Sequence, residues 1–191
     1  MNLTRPKPQF KVKLATSPEE FCAAQRLRYD VFVKELGGKG SLVDHDNQLE
    51  RDTYDPYCDH LLLYDEARNA QNGSTVVGVY RILTSERAAE LGRFYSEDEY
   101  DLDVLKSSGR KLMELGRSCL HPEYRGGTAM LHLWQALSHY IMKRNIEILF
   151  GVASFHGTKV DAIKEPLSLL YYNYLAPREL RVVAKHPHNQ P

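Results

Sequence analysis

The sequence has no excess of charge of either sign. It contains 25 lysines and arginines and 25 aspartates and glutamates, so the formal net charge at pH 7 is zero. Proteins that coat nucleic acid through bulk charge are strongly basic, and this balance argues against that class. We therefore expect no nucleic-acid partner.

Long apolar stretches are also missing. No uncharged apolar run reaches the roughly 18 residues that a membrane-spanning helix requires. The N-terminal segment, residues 1–14, has no apolar run typical of a signal peptide. These absences predict a cytoplasmic protein without a spanning helix, and they leave open a peripheral contact with a membrane surface.

Cysteine is scarce. Cys22, Cys58 and Cys119 are far apart in the chain, and no C-x-x-C pair is present. This argues against a zinc ribbon or a redox motif and favours small packed side chains in a reducing compartment. His45 lies between two aspartates, but no second cluster has metal-ligand spacing, so we expect no metal site.

The composition is typical of one globular domain. The 191 residues are 42% apolar and 26% charged, with no internal repeat and no linker rich in proline, glycine or serine. A chain of this size can bury a proper core without disulfides or metals. We expect a single domain over residues 1–191.

Hydrophobic periodicity predicts alternating strands and helices. Ser17, Pro18 and Glu20 form a start signature for a first helix that ends near Gly37. No G-x-G-x-x-G fingerprint follows the first strand, which argues against a Rossmann fold. The order indicates an α/β fold with a mixed sheet flanked by helices. Predicted strands cover residues 10–14, 60–64, 75–83, 112–118, 146–152 and 180–184, with a turn at Asn72-Gly73, and helices follow residues 17, 127 and 159.

The strand-turn-helix at residues 113–130, MELGRSCLHPEYRGGTAM, is the most informative segment. Gly126 and Gly127 lead into a helix N-terminus, whose free N–H groups and positive dipole end suit a phosphate group. Arg125 adds a cation beside that turn. By itself, the pattern equally fits an ordinary tight connection between a strand and a helix.

This segment resembles the GNAT superfamily of N-acyltransferases, whose turn at this place holds the pantetheine phosphates of an acyl thioester. The resemblance implies the GNAT fold, with its mixed, mostly antiparallel central sheet. The family's later glycines are replaced by Thr128 and Met130, which favours acyl carrier protein, with its single phosphate, over coenzyme A. Acyl-phosphopantetheine would then be a co-substrate, and no cofactor is implied. The implied donor-binding residues are Cys119, Leu120, Arg125, Gly126, Gly127 and Thr128.

A second set of motifs resembles the acyl-homoserine lactone synthases, a branch of the same superfamily. The set comprises R-x-x-x-F at Arg28 and Phe32, D-x-x-D at Asp52 and Asp55, Arg81, and E-x-x-R at Glu114 and Arg117. The tryptophan that those enzymes carry shortly after R-x-x-x-F is missing, because the only tryptophan is Trp134. This departure disfavours a lactone synthase.

The resemblance to the ornithine-lipid branch, the L-ornithine Nα-acyltransferases or haemolysin-like proteins, covers nearly the whole chain. It implies transfer of a long 3-hydroxyacyl group from acyl carrier protein to the α-amine of ornithine, which gives lyso-ornithine lipid. Another acceptor amino acid, an acyl-CoA donor and a non-catalytic acyl-binding module are the alternatives. Members of this branch continue past the last motif, so the chain is expected to be either a trimmed form or a shorter relative that acylates another amino acid. The motifs are AAQRLRYDVFVKE, DPYCDHLLLYD, FYSEDEYDLD, ELGRSCLHPEYR, LFGVASFHGT and LAPRELRV.

Glu114 is the predicted general base, because the acceptor amine must lose a proton to attack a thioester. It lies in an apolar strand, LMELG, where Leu112 and Gly116 share its face, and apolar neighbours raise the pKa of a carboxyl group. The alternative is a structural ion pair between Glu114 and either Arg81 or Arg117.

Other catalytic roles rest on the resemblance alone. A backbone N–H at a strand bulge, at Cys119 or Leu120, would stabilise the oxyanion of the tetrahedral intermediate. A tyrosine near the end of the third helix can protonate the leaving thiolate in relatives. Tyr171, Tyr172 and Tyr174 lie there, although three neighbouring tyrosines also fit a packed or groove-lining role.

Charged residues of the remaining motifs are candidates for binding the acceptor. Asp52 and Asp55 would either hold an acceptor ammonium or pair with arginines and order the Asp-rich loop. The resemblance assigns Arg28, Arg81 and Arg117 to a network that orders this loop and anchors the acceptor carboxylate. Arg117 is thereby expected in the catalytic centre.

The acyl chain and its carrier need binding surfaces of their own. Ser154 and Thr158 would bond a 3-hydroxyl group of the chain. Candidates for the apolar tunnel are Phe32, Phe150, Val152 and Phe155. Candidates for contacting an acidic carrier protein are Arg110, Lys111, Lys143, Arg144, Arg178, Arg181 and Lys185.

Overall fold

The computed structural model describes residues 6–68, 75–155 and 159–185. The predicted turn at Asn72 and Gly73 lies outside these residues. The strands are β1 (Phe10–Leu14), β2 (Asp59–Asp65), β3 (Val76–Thr84), β4 (Tyr100–Asp101), β5 (Leu112–Leu120), β6 (Ile148–Phe150) and β7 (Val183–Ala184). The helices are α1 (Pro18–Arg28), α2 (Ser85–Leu91), α3 (Asp103–Lys106), α4 (Ala129–Arg144) and α5 (Val160–Tyr174).

Five strands form the central sheet in the order β1-β2-β3-β5-β6. All neighbours run antiparallel except β5 and β6, which are parallel. The predicted α/β fold with a mixed, mostly antiparallel sheet is therefore confirmed. The last predicted strand, residues 180–184, is reduced to β7, which pairs with β4 outside the central sheet.

Strand alternation places helices on both faces of the sheet. Leu61 and Leu63 pack with Leu133 of α4 on one face. Leu62, between them, packs with Leu27 of α1 on the opposite face. Because successive strand side chains point to opposite sides, the two helices sandwich β2 and its neighbours and hold the sheet rigid.

α1 begins as predicted and then changes its geometry. The Ser17 side chain accepts the N–H of Glu20 at 3.4 Å, which caps the first turn. Beyond α1 the helix continues as π-helical turns over Tyr29–Glu35. Here the N–H of Leu36 reaches back five residues to the carbonyl of Val31. Such wide turns are frequent at functional sites, and this one borders the cleft described below.

β5 and β6 part after a short contact. Beyond Glu114 they diverge and leave a cleft between them. Gly151 lies at the point of divergence, where a Cβ atom would stand 2.3 Å from the carbonyl oxygen of Leu115. The predicted strand 146–152 is shorter than expected because its last residues leave the sheet. The paired residues are Leu112–Ile148, Met113–Leu149 and Glu114–Phe150.

β5 carries a bulge against β3. The register shifts by one residue, so Arg117 and Ser118 together stand opposite Tyr80. Arg117 has a φ of 50°, in the left-handed region that non-glycine residues rarely adopt. The prediction of a bulge at Cys119 or Leu120 was wrong, because both residues are regularly paired with β3. Apolar alternation does not reveal where one extra residue enters a strand.

α5 is the least buried helix. Most of its side chains from Asp161 onward are exposed, including Tyr172 at 80%. Pro166 lies inside it. No helix within the described ranges is both long and apolar enough to span a membrane.

Candidate active site

The cleft between β5 and β6 has a volume of about 670 Å³, and we call it the central cleft. Gly116, Arg117 and Ser118 of β5 form one wall, and Val152 and Ser154 beyond β6 form the other. Parted strands expose backbone and side chains that a continuous sheet would cover. The central cleft is therefore the natural place for an extended ligand.

A smaller cavity of about 60 Å³ lies next to the central cleft, and we call it the inner cavity. Its lining includes Glu114, Arg81 and Cys58. Arg117 and Tyr95 border both the inner cavity and the central cleft. These shared residues bring the predicted general base to the edge of the large opening.

Glu114 is 4% exposed and is held by the segment that follows α2. One carboxylate oxygen accepts the N–H of Tyr95 at 2.7 Å. The other accepts the N–H of Ser96 at 2.7 Å and the Ser96 hydroxyl group. Burial raises the pKa of Glu114 above its ordinary value, and these hydrogen bonds offset the rise only in part.

The alternative for Glu114, an ion pair with Arg81 or Arg117, is not what the structure shows. Its described partners are Tyr95 and Ser96, which lie within the quoted motif FYSEDEYDLD but had been given no role in the site. The acidic segment SEDEYD gave no sign that its first serine would bind a buried carboxylate. That contact joins residues 18 positions apart and exists only after folding.

Arg28 lies at the centre of a buried ion network. Its side chain is completely buried and contacts two carboxylates. It donates to Asp55 at 2.7 Å and to Glu50 at 2.5 Å. Gln25 adds a hydrogen bond to the second oxygen of Asp55 at 3.1 Å. The predicted R-x-x-x-F arginine thus ties the first helix to the Asp-rich loop.

Arg81 and Arg117 complete the network. Arg81 donates to Asp52 at 2.6 Å and to Asp55 at 2.9 Å. Arg117 donates to Glu50 at 3.1 Å and to Asp52 at 3.2 Å. Three arginines therefore face three carboxylates, and their formal charges cancel.

The network shows the ion pairs that one interpretation of D-x-x-D predicted. Asp52 and Asp55 pair with arginines and order the loop, as one of the two interpretations predicted. Burial raises the pKa of Asp55, but Arg28 and Arg81 lower it more, and the net shift is downward. Glu50 was missed by the sequence analysis, because it belongs to none of the quoted motifs.

Tyr95 covers the network on the side of the central cleft. The Arg117 guanidinium lies 5.1 Å from the centre of its ring, and that of Arg81 lies 5.9 Å away. Tyr54 packs edge-on against the same ring at 5.3 Å. The tyrosine therefore links the arginines to the backbone N–H that holds Glu114.

The other predicted acceptor and acyl residues lie in two places. Phe32 and Ser154 both line the central cleft, together with Phe155. Thr158 lies outside the described residues. Phe150 and Val152 border a further cavity of about 270 Å³, which we call the apolar cavity; Val152 also lines the central cleft. Its remaining lining includes Ser96, Tyr100, Leu102, Leu105 and Val182.

The predicted donor turn follows β5 directly. Gly126 has a φ of 73°, and Thr128 precedes α4 without a side-chain cap. Arg125 forms a two-pronged ion pair with Glu35, at 2.6 and 2.7 Å, and it also donates to the carbonyl of Leu120. This pair joins the donor turn to the π-helical segment across a side opening of about 320 Å³.

Cys119 and Leu120 are buried beside this turn. The Cys119 side chain packs against α1 with Leu27 and Val79. Burial raises the pKa of its thiol to about 12, so it stays protonated at neutral pH.

Two residues predicted to contact a carrier protein lie far from the donor turn. Lys143 and Arg144 are at the end of α4, about 22 Å along its axis from Ala129. Arg144 and Lys111 contact each other there through a backbone carbonyl. These residues stand at the end of α4 opposite the donor turn, and their contact with a carrier protein stays a prediction.

Comparison with known proteins agrees with this geometry. The family model described as an acetyltransferase (GNAT) domain matches residues 27–135. The AHL synthase LasI superposes with a TM-score of 0.53 and 19% identity, over 85% of this chain and 78% of its own. The CoA-dependent acyl-homoserine lactone synthase BjaI gives 0.54 and 18%, over 75% and 66%. These structures share the fold.

Two curated relatives are more similar in sequence. The L-ornithine N(alpha)-acyltransferase of Rhodobacter capsulatus is 55% identical over 92% of this chain and 68% of its own length. That of Brucella abortus is 41% identical over 85% of this chain and 59% of its own. The chain thus spans about three-fifths to two-thirds of these relatives. It belongs to the GNAT superfamily of N-acyltransferases and, within it, to the family of the L-ornithine Nα-acyltransferases.

Proposed function

We propose that the protein transfers a long-chain 3-hydroxyacyl group from acyl carrier protein to the α-amine of L-ornithine, giving lyso-ornithine lipid. The observation that carries the proposal is the parting of β5 and β6 immediately after Glu114. It leaves an open cleft beside a buried carboxylate, in a family whose curated members are named L-ornithine N(alpha)-acyltransferases.

The reaction forms one bond and breaks another. The neutral α-amine attacks the thioester carbonyl, and the resulting tetrahedral intermediate collapses with loss of the pantetheine thiolate. The C–N bond of the amide replaces the C–S bond. The proton lost by nitrogen passes to Glu114, which later releases it to solvent, and the leaving thiolate takes an equivalent proton from solvent to become a thiol.

Glu114 suits the role of general base because of its surroundings. Burial favours its protonated form, so it binds a proton more readily than an exposed carboxylate. Three of its acceptor positions are used by Tyr95 and Ser96, which leaves a lone pair on the oxygen that Tyr95 holds. The inner cavity has room for a water molecule that would relay the proton from the central cleft.

The bulge in β5 supports the placement of the carbonyl oxygen. An extra residue in one strand leaves backbone groups without ladder partners. The strained Arg117 and the following Ser118 lie at this bulge and border the central cleft. We assign the oxyanion to their backbone N–H groups, in place of those of Cys119 and Leu120.

The phosphopantetheine and the acyl chain of the donor would bind along separate routes. The N-terminus of α4, preceded by Gly126 and Gly127, suits the single phosphate of phosphopantetheine. Arg125 would contact this phosphate by exchanging its Glu35 partner for it. The acyl chain would continue past Ser154 and Val152 into the apolar cavity.

A reconstituted reaction tests the proposal. The purified chain is incubated with 3-hydroxypalmitoyl–acyl carrier protein and L-ornithine, and the products are identified by mass spectrometry. We expect N-acyl-ornithine, and we expect Glu114→Gln to lower turnover at least tenfold, a barrier increase of about 1.4 kcal/mol. Glu90→Gln, an exposed glutamate on α2, is the matched control.

The possible results separate the alternatives. If product forms from the acyl-CoA thioester but not from the carrier-protein thioester, acyl-CoA is the donor. If glycine or glutamine is acylated but ornithine is not, the acceptor is one of those amino acids. Binding of the acyl carrier without any product would identify a non-catalytic module. A folded Glu114→Gln variant with full turnover would remove Glu114 from the mechanism.

A further inference from the structure

The segment between Ser96 and Asp101 is rich in acids, and most of them have partners within the protein. Glu97 bonds Lys106 at 2.5 Å and the N–H of Phe94 at 2.6 Å. The other two engaged acids are Asp98, which pairs with Arg93, and Asp101, which accepts the N–H of Asp103 at 2.9 Å. These three carboxylates stabilise the segment itself.

Glu99 is the exception. Within residues 6–68, 75–155 and 159–185 its carboxylate has no cation or N–H partner, although its backbone is firmly held. Its N–H donates to Ser96 at 3.1 Å, and its carbonyl accepts the N–H of Lys185 at 2.8 Å. Glu99 is one of the residues that line the central cleft. A fixed backbone thus presents an unpaired negative charge to the proposed substrate site.

The other charges in the cleft suggest what this carboxylate is for. Lys39 and Arg117 line the same opening and are positive; Arg117 also pairs with Glu50 and Asp52, and Glu50 is bound by two arginines. Among the described lining residues, Glu99 is therefore the one acid free to bind a ligand. The cleft offers cations for a carboxylate and, separately, one anion for a second amine.

We propose that Glu99 binds the side-chain ammonium of the acceptor and so selects diamino acids over neutral amino acids of the same length. This inference rests on the proposed function and adds a residue that sets its substrate class. The α-carboxylate of the acceptor would face Lys39 and Arg117. A charge-assisted hydrogen bond that a neutral side chain cannot make provides the discrimination.

A comparison of two acceptors tests this role. Norvaline has the carbon skeleton of ornithine without the side-chain amine. Steady-state kinetics are measured for both acceptors with 3-hydroxypalmitoyl–acyl carrier protein at saturation. The wild-type protein should use ornithine at least tenfold more efficiently than norvaline. Glu99→Gln should raise the KM for ornithine about tenfold while leaving kcat and the norvaline kinetics nearly unchanged.

Glu90→Gln is the control, because it removes an exposed carboxylate of α2 that does not line the central cleft. Glu99→Lys should abolish the preference and give norvaline the advantage. An unchanged ornithine-to-norvaline ratio in Glu99→Gln would overturn the inference, as would an equal loss for both acceptors. Equal use of both acceptors by the wild type would also overturn it, while leaving ornithine acylation intact. A wild-type protein that acylates norvaline but not ornithine would instead refute the proposed function.

Discussion

Ser96 donates two hydrogen bonds to a single oxygen of Glu114, one from its backbone N–H at 2.7 Å and one from its hydroxyl group. Both residues are buried, at 3% and 4% exposure. The serine therefore determines which way the carboxylate points. It also stabilises the ionised form against the effect of burial.

Removing the Ser96 hydroxyl group should change the pH dependence of the reaction. Ser96→Ala takes away a donor to the carboxylate, so the pKa of Glu114 should rise further above its ordinary value. The acid limb of the kcat profile should move to higher pH, with at least roughly a threefold loss of kcat on that limb.

Ser138→Ala is the control, since that hydroxyl group bonds only a backbone carbonyl of α4. The measurement is kcat between pH 5 and 9 with folding monitored by circular dichroism. An unmoved acid limb in a folded Ser96→Ala protein would contradict this role for the serine.

Arg28 should be essential for stability. Arg28→Met leaves Glu50 and Asp55 buried without their main cation. Removing one member of a buried ion network typically costs about 3–5 kcal/mol. Lys34→Met, which breaks an exposed pair with Asp30, should cost less than about 1 kcal/mol. The free energy of unfolding from urea titration distinguishes them, and equal losses would refute the prediction.

His60 should make the protein acid-sensitive. It is fully buried, neither of its ring nitrogens has a hydrogen-bond partner in the described part of the chain, and burial lowers its pKa from 6.5 to about 4. Because the unfolded chain binds this proton more readily, stability is complete above pH 6.5 and falls as the pH drops toward 4. The loss attributable to this residue should reach about 3 kcal/mol.

His60→Leu removes that titration. Urea titrations at several pH values should show a flatter dependence of unfolding free energy between pH 6.5 and 4 in the variant. Asp55, whose pKa is lowered, contributes only at more acidic pH, so it does not obscure this window. Equal slopes in the two proteins would show that His60 is not the group responsible.

Gly151 should be required where β5 and β6 part. Gly151→Ala brings a Cβ atom to 2.3 Å from the Leu115 carbonyl oxygen, and the strands must shift to relieve the contact. Overpacking of this kind costs about 1–3 kcal/mol. Gly116→Ala meets nothing within 4 Å and should leave the unfolding free energy nearly unchanged. Thermal unfolding of both variants tests this, and matching midpoints would exclude the steric argument.

Much of the site was accessible from sequence because motifs report residue type and spacing. R-x-x-x-F placed Arg28 correctly beside the Asp-rich loop, and D-x-x-D identified two of the three carboxylates in the ion network. Glu50 escaped notice, since a single glutamate in a polar stretch has no periodic signal. The bulge at Arg117 was misplaced for a similar reason, because the extra residue leaves the apolar pattern of β5 intact.

The sequence by itself determined the α/β fold and its order of elements, because apolar periodicity and helix caps act over neighbouring residues. Only the tertiary structure decided how Glu114 is held, which arginine meets which acid, and that the Glu99 carboxylate has no partner among the described residues. Those contacts join residues far apart in the chain, and their distances depend on how β3, β5 and the segment after α2 pack together. Local patterns carry no information about such distances.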